Sequence, residues 1–108
     1  MKLLFVCSKN EWRSRTAESI FKNNGQHQVR SAGTSATARI RINQQLIDWA
    51  DLIFVMEQQH KKRIAETFEW NKDDTPIEVL DIPDEYTYMD EELVEMLEDM
   101  ISLYLQNL

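Results

Sequence analysis

The 108-residue chain holds one cysteine, two glycines and two prolines, and it has no cationic residue after Lys72. A single cysteine cannot form an internal disulfide, so nothing points to an oxidising compartment. No apolar run is long enough to cross a bilayer. The first residues lack the basic start and long apolar stretch of a secretory signal. These absences predict a cytoplasmic protein without a membrane partner, folded as one domain over residues 1–108.

The missing cations make the charge lopsided. All 12 Lys and Arg lie in residues 1–72 against seven acids, a net of +5, while residues 73–108 carry 12 acids and a net of −12. General nucleic-acid binding is excluded by that balance, although the first two-thirds can still present a local basic site. The acidic end reads as a solvated helix face that keeps the chain soluble.

With so little glycine and proline, the order of elements must come from apolar pattern. Strands are predicted at 2–7 (KLLFVC), 27–33, 51–56 (DLIFVM) and 76–82. Helices are predicted from Ser14 to about Asn23, over 36–49, over 58–70 and from an N-cap at Asp90 onward. Asn24 or Gly25 would end the first helix in a left-handed conformation. Ile40, Leu46, Ile47 and Trp49 should form the apolar side of the second helix. Ile64, Ala65 and Phe68 should face inward on the third, with His60, Lys61, Lys62 and Arg63 outward. Leu93, Met96, Leu97, Met100, Ile101 and Tyr104 should form the stripe of the last. The alternation βαβαβαβα predicts an α/β fold of three layers, a four-stranded parallel sheet with helices on both faces.

In such sheets, ligands bind at the carboxyl ends of strands near the switch in strand order. Cys7 sits at such an end. The loop Ser8–Lys9–Asn10–Glu11–Trp12 can wrap so that its backbone N–H groups share a centre, forming an anion nest that runs into a helix N-terminus. Arg13 would close the nest, offering a planar fork to two phosphate oxygens. That field would hold Cys7 as a thiolate beneath a bound phosphoryl group, placed for in-line attack. Ser14 would donate a hydrogen bond to the sulfur and stabilise it as a leaving group. Neither His27 nor His60 has metal-ligand spacing, and neither is given a role; no metal or other cofactor is expected.

The pattern Cys7, Asn10, Arg13, Ser14, Ala17, Glu18 resembles the signature of the low-molecular-weight protein tyrosine phosphatase family, in a compact branch. The stretches SAGT (31–34), ADLIFVME (50–57) and IPDEYTYMDEELVEML (82–97) resemble its later landmarks, in the same order. The resemblance implies a cysteine-dependent phosphatase acting on phosphotyrosine in protein, or on another aryl or small phosphomonoester, through a phosphocysteine. It implies Cys7 as nucleophile, Arg13 as phosphate clamp and Ser14 as tuner of the sulfur. Residues 8–13 would line the phosphate site, and Asn10 would hold the loop by hydrogen bonding with Ser31. Counting back from Asp90 implies Asp84 as general acid, with Asp81 as the alternative, and Tyr86 as the aromatic wall.

The chain also departs from the family. Only fifteen residues separate SAGT from ADLIF, fewer than the family has there. Lys9 stands for a family glycine, Trp12 for a common second cysteine, Arg15 for a common proline and Glu11 for an apolar residue. A shallower, more open site is expected. Trp12 is expected to pack on the neighbouring helix and pin the loop, with stacking on a substrate ring as the alternative. Two other functions fit parts of the pattern. One is a phosphate- or phosphoprotein-binding module without turnover. The other is an arsenate reductase, which with Cys7 alone would need an external thiol. Oligomeric state is left open.

Overall fold

Two short runs of branched and aromatic residues, Leu3–Cys7 and Leu52–Val55, set the centre of the sheet. Every residue in them is buried, as expected of parallel strands covered on both faces. The computed structural model describes residues 1–23 and 25–108; Asn24, one of the two expected helix stops, lies outside them. Gly25, the other, is left-handed at φ +74°, but it does not end the helix, which stops at Phe21 with its cap at Lys22 still right-handed.

The elements follow as β1 (Lys2–Cys7), α1 (Arg13–Phe21), β2 (Gln28–Gly33), α2 (Gln44–Trp49), β3 (Leu52–Val55), α3 (Gln58–Thr67), β4 (Ile77–Val79) and α4 (Glu91–Gln106). All strand pairs are parallel and the spatial order is β2-β1-β3-β4. The expected α/β architecture is therefore present. The chain leaves β1 toward β2 on one side and returns to β3 on the other, so the switch in strand order lies beside Cys7.

Side chains alternate along the strands and build two cores. Leu3, Phe5, Leu52 and Phe54 face α1 and α4, where Ala17, Phe21, Leu93, Leu97 and Ile101 meet them. Leu4, Val6, Ile53 and Val55 face α2 and α3, where Leu46, Ile47 and Ile64 complete the layer. Phe5 stacks on Phe54 at 5.6 Å between centroids, Phe21 lies 6.0 Å from Phe5, and Tyr104 meets Phe54 edge-on at 5.4 Å. One aromatic column thus ties α1, the sheet and α4 together.

Three expectations need correction. Residues 36–43 are not helical: Gly33 N–H donates to the Ile40 carbonyl and Ile42 N–H to the Gly33 carbonyl, so this stretch runs beside the end of β2. The helix starts only after Asn43, whose side chain accepts from Leu46 N–H at 2.9 Å; Ile40 is exposed and Ile42 buried in its place. On α3, Ala65 faces solvent and His60 is buried, the reverse of what was expected. On α4, Met100 is exposed, while the Asp90 cap accepts from Glu92 and Leu93 N–H as expected. No helix among the described residues is long and apolar enough to cross a membrane.

Phe54→Ala should remove the centre of the aromatic column and cost about 3–5 kcal/mol. Urea unfolding should show a lower midpoint with an unchanged slope.

Candidate active site

Strand β1 delivers Cys7, 3% exposed, to the carboxyl edge of the sheet, and residues 8–12 turn into α1. Asn10 makes the turn with φ +57°, a conformation that asparagine tolerates better than most residues. Its backbone N–H approaches Cys7 Sγ at 3.3 Å, and its side-chain amide donates to Ser14 Oγ at 2.7 Å. Ser14 Oγ, already accepting from Asn10, lies 3.0 Å from Cys7 Sγ, a contact in which its hydroxyl can donate to a thiolate. The Ala32 carbonyl is a more distant acceptor at 3.4 Å.

The stretch after β2 supports this loop. Thr34, Ser35 and Arg39 N–H groups donate to the carbonyls of Cys7, Ser8 and Lys9, and Arg39 Nε donates to the Asn10 carbonyl at 3.0 Å. Four successive loop carbonyls are thereby bound on one side. Gly33 permits the approach: a Cβ there would sit 2.4 Å from the Ser8 carbonyl oxygen and 3.0 Å from Asn10 N.

Arg13, 2% exposed, is held by two elements distant in sequence. Its Nη1 donates to Glu57 at 2.6 Å, just past β3, and to the Ile82 carbonyl at 2.8 Å, just past β4. Asp84 Oδ1 stands 3.7 Å from its Nε. A cavity of about 240 Å³ gathers Cys7, Ser8, Lys9, Glu11, Trp12, Arg13 and Asp84. A larger one, about 480 Å³, lies around Ile47, Asp48 and Trp70 and includes none of the loop.

Of the sequence-predicted site residues, Asn10 and Ser14 stand behind the cavity as supports. Asp81 does not enter it; with φ +55° it lines a separate cleft with Glu57, Gln58, Gln59 and Pro83. Tyr86 is not on the cavity wall either, because it packs against the core layer of α1 and α4. Ser31 does not hold Asn10: its hydroxyl donates to Glu18 Oε1 at 2.7 Å. Trp12, 42% exposed, lines the cavity in the position of the stacking alternative. The segment bearing Asp84 is anchored on α1, where Met89 N–H donates to Thr16 Oγ1 at 3.0 Å and Ser19 pairs with the Tyr88 hydroxyl at 2.7 Å.

Sequence reasoning missed Glu57, His60, Arg39 and the role of Gly33. Glu57 and His60 follow β3, the strand paired with β1, so the strand-end rule that found Cys7 would have found them too. They form a capping box at the start of α3, with Glu57 N–H donating to His60 Nδ1 at 3.0 Å. His60 Nε2 lies 2.9 Å from Ser8 Oγ. Burial, then the Arg13 charge, pushes the imidazole down to about 4, with Glu57 and Asp84 opposing only in part. Burial pushes the Glu57 carboxyl up, but the Arg13 hydrogen bond and charge outweigh it and leave a net lowering. Among the described residues no group of three His, Cys, Asp or Glu side chains is placed to hold a metal ion.

One loop thus brings a thiol and an arginine together at the switch point of a doubly wound sheet, where such folds place their ligands. The sequence profile described as low molecular weight phosphotyrosine protein phosphatase matches residues 2–48, so this part of the chain is similar to that family. The chain is 32% identical over 95 residues to the protein-arginine-phosphatase of Bacillus subtilis strain 168; the match covers 63% of each chain, less than two thirds of that relative's length. The solved YwlE arginine phosphatase of Geobacillus stearothermophilus is similar at 25% identity and a TM-score of 0.75, over 98% of this chain and 93% of that one. The low molecular weight protein tyrosine phosphatase SP-PTP of Streptococcus pyogenes shares the fold at 20% identity and a TM-score of 0.79, over 99% and 92%.

Two outcomes follow. Gly33→Ala should displace the loop and abolish vanadate binding, read by titration, while the far-UV spectrum stays native. His60 binds fewer protons folded than unfolded between about 4 and 6.5, so its contribution to stability is complete above 6.5 and lost as pH falls toward 4. The melting temperature of the wild type should drop across that window, and His60→Gln should flatten the drop.

Proposed function

We propose that the protein is a cysteine-dependent phosphatase that hydrolyses phosphotyrosine in protein, or another aryl or small phosphomonoester. The observation that carries this reading is Cys7 Sγ in hydrogen-bond contact with the Ser14 hydroxyl and the Asn10 N–H, in one cavity with Arg13 and Asp84. Because Arg13 Nη1 is engaged with Glu57 and Ile82, the opposite edge of the guanidinium is the one that takes two phosphoryl oxygens. The loop amides take the others, since the carbonyls of residues 7–10 are bound on the far side.

In the first step the Cys7 thiolate attacks phosphorus in line, forming an S–P bond as the P–O bond to the leaving group breaks. Asp84 supplies the proton that the leaving oxygen needs. In the second step Asp84 takes a proton from water, which attacks phosphorus, and the S–P bond breaks to release phosphate. The Ser14 hydroxyl stabilises the departing sulfur. Asp84 suits this work better than Asp81 because it reaches the cavity and 60% of its side chain is exposed to exchange protons with water.

Glu11 favours a second reading. Glu11 lines the same cavity as Arg13, where a carboxylate would repel a phosphomonoester dianion but pair with a cationic leaving group. Phosphoarginine offers a guanidinium at that place, and the Bacillus relative bears the name of an arginine phosphatase. In this reading Asp84 protonates nitrogen rather than oxygen.

Release of p-nitrophenol from p-nitrophenyl phosphate, with chelator present, tests the first reading. Cys7→Ser should abolish turnover, Arg13→Ala should lower kcat/KM by about 10²–10³, and Asp84→Asn should lower it by about 10²–10⁴, while Asp81→Asn leaves it near wild type. Phosphate or vanadate binding without turnover would instead favour a binding module. If phosphoarginine is the substrate, Glu11→Gln should lower the ratio of kcat/KM for phosphoarginine over p-nitrophenyl phosphate about tenfold.

A further inference from the structure

The buried histidine at the start of α3 touches the loop at one atom, and that contact has a direction. Backbone N–H of Glu57 can only donate, so His60 Nδ1, 3.0 Å away, must be its acceptor and carries no proton. His60 is 1% exposed and held neutral at ordinary pH by burial and the Arg13 charge. A neutral imidazole with a bare Nδ1 bears its proton on Nε2. Nε2–H therefore donates to Ser8 Oγ at 2.9 Å, and the Ser8 hydroxyl keeps its own proton for another acceptor. Ser8 lines the cavity with Cys7 and Arg13.

From this geometry we infer that His60 is a positioning residue: it fixes Ser8 as a side-chain hydrogen-bond donor to the phosphoryl group, adding a hydroxyl to the loop amides and Arg13. With the opposite tautomer, Ser8 would donate to the imidazole and turn lone pairs toward the anion. The capping box of α3 excludes that arrangement. One helix start thus serves both sides of the site, since Glu57 holds the arginine and His60 holds the serine. The inference rests on the phosphoryl-binding part of the proposed function, and turnover is not required for its test.

Glutamine reproduces an N–H near the Nε2 position of histidine, whereas asparagine reproduces only the acceptor near Nδ1. Inorganic phosphate affinity by calorimetry, and kcat and KM for p-nitrophenyl phosphate, are to be compared in wild type, Ser8→Ala, His60→Asn, His60→Gln and Ser8→Ala/His60→Asn. Ser8→Ala and His60→Asn should each weaken phosphate binding and kcat/KM about tenfold. The double variant should be no weaker than Ser8→Ala, and His60→Gln should recover most of the loss. Losses that multiply in the double variant, or His60→Gln behaving like His60→Asn, would overturn the assignment, as would unchanged phosphate affinity in Ser8→Ala. Ser8 lies in the loop outside both core clusters, so its variant alone decides the matter if His60→Asn fails to fold. A wild type that binds phosphate without turning over p-nitrophenyl phosphate would remove the phosphatase reading, and the order of phosphate affinities would still judge this one.

Discussion

A guanidinium buried to 2% exposure is the constraint around which the carboxyl edge of this sheet is organised. Left unpaired it would cost on the order of 3–5 kcal/mol, so its partners are structural necessities. Arg13 opens α1, and its partners come from the ends of β3 and β4, 44 and 69 residues away. Only a parallel sheet with β3 against β1 brings those ends to one edge. The same pairing leaves the outer edge of the guanidinium turned toward Asp84 and the cavity.

The segment between β2 and α2 serves the site largely through its backbone. It pairs with the end of β2, binds the carbonyls of the cysteine loop and supplies Arg39 to the Asn10 carbonyl before Asn43 starts the helix. A helix over the same residues would satisfy its own N–H groups and leave those carbonyls without donors. This is why apolar periodicity misled there: Ile40 and Ile42 alternate like a strand, with only Ile42 buried. The Gly33 of SAGT follows from the same packing, since the Ser8 carbonyl occupies the space of a side chain.

The acidic end of the chain serves two purposes. Helix α4 buries Leu93, Leu97 and Ile101 and exposes most of its acids, as a solvated helix should. The segment before it bends through left-handed residues at Asp81 and Met89 and fastens to α1 through Thr16 and Ser19. Arg15, which stands where the family commonly has proline, lies over the Tyr88 ring at 4.6 Å and strengthens that attachment. The position of Asp84 is thereby set by α1, the helix that also carries Arg13 and Ser14.

The sequence by itself determined the parallel α/β frame, the two-sided burial of β1 and β3, the cap at Asp90 and the grouping of Cys7, Arg13 and Ser14. Those are local facts: strand periodicity, a capping aspartate, and residues within one loop and one helix turn. Tertiary structure alone decided that Asp84 rather than Asp81 lines the cavity with the thiol, that Ser31 serves Glu18 rather than Asn10, and that Tyr86 packs against the core. It also drew Glu57 and His60 into the site. Each of these depends on strand order and on the path of a loop between distant elements, which a spacing along the chain does not encode. Burial makes the difference concrete: His60 in a run with Lys61, Lys62 and Arg63 looks like a surface residue until β1 lies beside β3 and Ser8 closes over it.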